Sequence, residues 1–167
     1  MSKMLPFCVG AGLIALTVLP ASAALSTADR DFVTKAASGG MAEVQSAQLA
    51  DQHSTSPQIK QFAQRMITDH TAANNELSQI AKQQNLTLPA QPTAKDAAEE
   101  QKLRSLTGAG FDEAYVEGQL SDHQETVQLF RTEASSGQDP ALKAFAQKTL
   151  PILEQHLQMA QALNKKG

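Results

Sequence analysis

The chain has 167 residues, with 14 Lys and Arg against 17 Asp and Glu, one cysteine and no tryptophan. A net charge of −3 with no Lys/Arg cluster excludes nucleic acid and anionic membrane surfaces as partners. One tyrosine and many Ala, Gln, Glu and Leu lean the composition to helix, and the length suffices for one domain with a real core.

Met1 to Met4 carries Lys3, Leu5 to Leu19 is apolar, and Pro20-Ala21-Ser22-Ala23-Ala24 ends in small residues. That is the layout of a secretory signal peptide, and the apolar run is shorter than the ~20 residues that cross a bilayer. Cleavage before Ala24, with a cut one residue later also acceptable, divides the chain into a signal over 1–23 and one domain over 24–167. It removes Cys8, so the mature chain can hold no disulfide, and Lys3, so the net charge becomes −4. The expected compartment is the periplasm, with no membrane span after cleavage and an envelope protein as the kind of partner.

Ser26-Thr27-Ala28-Asp29 reads as a capping box that opens a first helix running to about Gln52. Its apolar face is Phe32, Val33, Ala36, Ala37, Gly40, Val44 and Ala47. Gly39-Gly40 in mid-helix costs about 1 kcal/mol per glycine against alanine, and close approach of a neighbouring helix is the expected compensation. His53-Ser54-Thr55 is a short turn, which implies an antiparallel neighbour. Ser56 as N-cap and Pro57 at the first position start the second helix. There Ile59, Phe62, Ala63, Met66, His70, Ala73, Leu77 and Ile80 form one stripe as far as Gln84.

Asn85 to Pro92 should be extended, because each proline pushes its predecessor out of helical geometry. Thr93 to Leu106 reads as a short, charged, solvated helix that Thr107-Gly108-Ala109-Gly110 ends. This connection is long enough to carry the chain back along a bundle. The third long helix, Phe111 to Ala134, has the stripe Val116, Leu120, His123, Val127, Phe130 and Ala134. Asp139-Pro140 repeats the cap-plus-proline start, and the last helix buries Leu142, Phe145, Ala146, Leu150, Leu153, His156, Leu157, Ala160 and Leu163. Pro151 should kink it.

The second and last long helices begin alike, sharing Pro57/Pro140, Lys60/Lys143, Phe62/Phe145, Ala63/Ala146 and Gln64/Gln147 without a gap. Phe32, Ala36, Gly39 and Glu43 have the spacing of Phe111, Tyr115, Gly118 and Asp122. Two related helical hairpins joined by a crossover make an all-α, ferritin-like four-helix bundle. The motifs Phe32…Gly39…Glu43-Val44, Phe62-Ala63…Met66…Asp69-His70, Asp122-His123 and Leu150-Pro151…Leu153…His156-Leu157 resemble the bacterial exported family called domain of unknown function 4142. The resemblance runs from Ala28 to Leu163. It implies a ferritin-like bundle and an association with the outer membrane, and it carries no established activity.

His70, His123 and His156 lie on three different helices, each inside a core stripe, whereas His53 sits in a turn. Burying three imidazoles in an Ala/Leu seam is costly unless each finds a partner, so they are expected to converge with Glu43, Asp122 or both. A metal ion would satisfy such a cluster, with copper, zinc and iron as candidates. Asp69 beside His70 is a weaker candidate ligand. So are Met66 and Met159, thioethers on the faces of His70 and His156 that would suit Cu(I) but also fill core space well. A di-iron centre needs Glu-x-x-His on two helices. Ile67 and Leu153 occupy those positions, so no catalytic signature of that class is present. The other reading is a non-catalytic envelope module whose histidines close a buried hydrogen-bond network.

Overall fold

A computed structural model describes residues 25–165. The expected signal peptide over 1–23 lies outside them. Five helices follow one another: α1 (Thr27–His53), α2 (Pro57–Gln83), α3 (Ala94–Arg104), α4 (Gly108–Ser136) and α5 (Pro140–Asn164). Among the described residues there is no strand, and no helix is long and apolar enough to cross a membrane.

The helix starts follow from local chemistry. The Ser26 and Ser56 hydroxyls accept from the amides of Asp29 and Ile59, and Asp139 accepts from Ala141 and Leu142. Thr93 and Asp96 form a full capping box on α3. α5 runs as one helix across Pro151. Two boundaries differ from the sequence reading. Gly108 to Gly110 form the first turn of α4 instead of a terminator, with Gly108 at φ +58, a conformation that glycine adopts without a Cβ penalty. His53 is the last residue of α1, not part of the turn, and its ring lies 5.8 Å from that of Phe111.

Long-range pairs fix the topology. Along α1 and α4, Gln138 meets Asp29, Glu43 meets Gln119, and Asp112 meets Thr55. Along α2 and α5, Gln84 meets Asp139, Glu76 meets Lys148, and Asp69 meets His156. Both pairs are therefore antiparallel. α1 and α2 are also antiparallel across their short turn, so α2 and α4 run in the same direction. The helices pack in a ring α1–α2–α5–α4, and α3 lies over the seam between α1 and α4. This is the ferritin-like arrangement of two hairpins joined by a long crossover.

The core is in two blocks. One gathers Phe62, Met66, Phe111, Tyr115 and Ala160 towards the α1–α2 turn, with Leu103 of α3 as its cover. The other gathers Phe32, Leu77, Phe130, Leu142, Phe145 and Leu153 towards the α4–α5 turn. Between the blocks lies a polar layer of Glu43, His70, Gln119, His123 and His156, all buried. The stripes of α1 and α4 are rotated by one residue there: Glu43 and Gln119 point inward, while Val44 and Leu120 are half-exposed.

The expected close helix approach holds at Gly40 alone. A Cβ on Gly40 would collide with the Asn74 side chain, whereas one on Gly39 would meet nothing within 4 Å.

Asp29 does more than begin a helix. Its carboxylate, 1% exposed, accepts from the Gln138 amide at 3.0 Å and so ties the α4–α5 turn to the start of α1. Burial works to raise its pKa, but hydrogen bonds from Gln138 and Ser26 hold it below the ordinary value. Glu133 beside it is pushed up to about 7, by burial first and by the Asp29 charge second. Glu133 thus binds its proton more tightly folded than unfolded. Its contribution is complete below its ordinary value of 4.5 and is lost as pH rises through about 7. Glu133→Gln keeps a donor and removes the charge. It is expected to gain about 1–3 kcal/mol over the wild type between pH 5 and pH 8, read from urea midpoints.

Candidate metal centre

Three of the four long bundle helices contribute one imidazole each to the polar layer. His70 of α2, His123 of α4 and His156 of α5 each offer a ligand atom within 4.8 Å of the other two. Their ring centroids are 5.4 to 5.6 Å apart. The fourth wall, α1, supplies Glu43 at the same height, 3.5 Å from His123 Nδ1.

The hydrogen bonds fix two of the tautomers. A carbonyl can only accept, so His123 Nδ1–H donates to the Gln119 carbonyl at 3.0 Å and its lone pair stays on Nε2. The Asp69 carboxylate likewise accepts from His156 Nε2–H at 2.8 Å, which leaves the lone pair on Nδ1. Asp69 is held in turn by Arg65 at 3.1 Å. His123 Nε2, His156 Nδ1 and His70 Nε2 are all buried and have no hydrogen-bond partner among the described residues. Each such atom costs about 1–3 kcal/mol.

Burial keeps the three rings neutral. Desolvation is the leading cause in each case. It holds His70 well below its ordinary pKa and lowers His123 and His156 to about 4. Neutral imidazole with a free lone pair is the form that binds a metal. Imidazole nitrogens sit about 2.0–2.1 Å from zinc or a similar ion, so rotations moving each nitrogen by about 1 Å or less would seat one. Asp69 and the Gln119 carbonyl would then hold the outer N–H groups of two ligands, as such partners commonly do.

The other residues read from the sequence take separate places. Glu43 accepts from Gln119 Nε2 at 2.6 Å, and burial pushes its pKa up to about 7. Asp122 is not in the three-nitrogen cluster. It lines the cleft beneath α3, and burial followed by the Glu43 charge raises it to about 7. Asp69 backs His156 on the outer side. Met66 is fully buried in the first core block, and Met159 packs against the same block. The Tyr115 hydroxyl is buried and makes no hydrogen bond among the described residues. Burial and the nearby Glu43 charge raise its pKa well above the ordinary value. Gln119 was not singled out from the sequence. Its place midway between Tyr115 and His123, four residues from each, was the available signal.

Fold and site together define an all-helical bundle with a buried cluster of three neutral imidazoles. The chain belongs to the family described as Domain of unknown function (DUF4142), which matches residues 16–163. No curated protein and no solved structure matched the chain.

Proposed function

We propose that this chain is an exported periplasmic protein that binds one transition-metal ion through His70, His123 and His156. The observation that carries the reading is the convergence of three buried, neutral imidazoles, of which His123 and His156 are held in tautomers whose lone pairs no other group uses. Three nitrogen donors favour zinc or copper over iron, because non-haem iron sites usually add a carboxylate ligand. Here Asp69 serves His156, and Glu43 serves Gln119. Three histidines with a further position open are also the donor set of many zinc centres. Asp69 and Glu43 lie just outside the ligands and would offset the charge of a divalent ion. Export rests on the run from Leu5 to Leu19 and the small residues before Ala24.

Titration of the metal-free protein with Zn(II) and Cu(I) tests this. One ion per chain is expected for the wild type and none for His123→Leu or His156→Leu. A bound ion at 100 times its dissociation constant would stabilise the fold by about 2.7 kcal/mol. Equal, weak uptake by wild type and variants would return the histidines to a structural role in an envelope interaction module.

A further inference from the structure

A cavity of about 690 Å³ lies between α1, α3 and α4. Seven carboxylates line it, Glu43, Asp122 and Glu99 among them, against the three lysines Lys35, Lys95 and Lys102. Its inner wall includes Glu43 and Gln119, the same two residues that adjoin His123. Gln119 Oε1 and the Tyr115 hydroxyl, on residues 2% and 1% exposed, have no hydrogen-bond partner there among the described residues.

Two glycines border this cavity for no packing reason. Gly39 of α1 and Gly118 of α4 both line it, and a Cβ on either would meet nothing within 4 Å. Glycine inside a helix costs about 0.5–1 kcal/mol against alanine, so the expected return for each would be a close helix contact, and neither makes one. Each precedes an acid by four residues, as Gly39…Glu43 and Gly118…Asp122, and both acids line the same cavity. The repeat of the two hairpins has thus placed one Gly-x-x-x-acid unit on each side of one space. What the glycines provide is room.

The geometry points to this cavity as the entry vestibule of the metal site, which gathers a hydrated cation beneath α3 and passes it by Glu43 and Gln119 to the imidazoles. The inference rests on the metal-binding reading above. An excess of carboxylates in a walled cleft raises the local concentration of cations and their rate of arrival. The volume accommodates an ion with its water shell, whereas the three-imidazole cluster takes it stripped of most of that shell.

The test uses Co(II), whose absorbance reports nitrogen coordination, mixed rapidly with the metal-free full chain. Gly118→Leu and Gly39→Leu each fill the cavity from a position with space for the side chain and a better helix former. Both are expected to slow Co(II) uptake about tenfold with equilibrium affinity unchanged, and Gly118→Ala to stay near the wild-type rate. Unchanged rates in both leucine variants, with His-dependent binding intact, would overturn the vestibule and leave the metal site standing. No Co(II) bound by the wild type would instead remove the metal site, and the vestibule with it.

Discussion

Replacing His70, His123 and His156 together by leucine is expected to make the metal-free protein more stable while abolishing metal uptake. Three buried ring nitrogens without partners each carry a desolvation cost of about 1–3 kcal/mol, and leucine fills a similar volume without one. A gain of about 2–5 kcal/mol at pH 7, read from urea midpoints, is the expected result. The gain should widen in acid. His123 and His156 have folded pKa values of about 4, set mainly by desolvation, against an ordinary 6.5. Between those values the unfolded chain binds protons that the folded chain refuses, so wild-type stability falls as pH drops from 6.5 towards 4. At pH 5 this adds about 2 kcal/mol per imidazole to the difference. Burial also pushes Glu43 up to about 7, so this group works the other way: its contribution is full below 4.5 and fades as pH rises. That opposing slope is common to wild type and variant and cancels in the comparison to first order. A structural role makes the opposite forecast. If the imidazoles hold the bundle together, the triple leucine variant loses stability at pH 7.

The sequence made the bundle legible because its signals were local and redundant. Ser26, Ser56 and Asp139 cap the helices they were read to cap, Pro57 and Pro140 sit in the first turns, and the apolar stripes share one period. The parallel course of α2 and α4 followed from the length of the segment between them. Convergence of His70, His123 and His156 was legible too, because a buried imidazole needs a partner and three helices offered one each. Less accessible was anything set by helix rotation. A shift of one residue turned Gln119 inward in place of Leu120, and set Glu43, already read as a partner of the histidines, in the seam where Val44 was placed. Periodicity alone favours the apolar neighbour, so the polar layer looked thinner from sequence than it is. The role of Asp29 was hidden for another reason. An acid read as half of a capping box already satisfies a local rule, and nothing local announces its hydrogen bond to Gln138, 109 residues away. Gly39 misled in the same way, because helical glycine usually signals contact and here it borders open space.

The duplicated phenylalanines are expected to separate stability from site integrity. Phe62 and Phe145 hold matching places in the two hairpins and are both buried, 1% and 3% exposed. Truncation of either to alanine should cost about 3–5 kcal/mol, a large share of the 5–15 kcal/mol that holds a domain of this kind together. Their surroundings differ. Phe145 packs with Phe32 and Phe130 at centroid distances of 6.3 and 5.7 Å, in the block towards the α4–α5 turn. Phe62 lies 6.2 Å from Tyr115 and 6.5 Å, edge to face, from His156, so it forms part of the floor beneath the imidazoles. The His156 ring is held by the hydrogen bond to Asp69 on its outer edge, by the His70 and His123 rings at 5.4 Å, and by this contact with Phe62. Phe62→Ala should therefore weaken Zn(II) binding as well as the fold, and Phe145→Ala should weaken the fold with the affinity of the folded fraction preserved. Binding measured at 10 °C, where both variants are mostly folded, separates the two effects. Equal affinity in Phe62→Ala and wild type would mean that Phe62 does not set the ring, and Asp69→Asn should then produce the loss that Phe62→Ala does not.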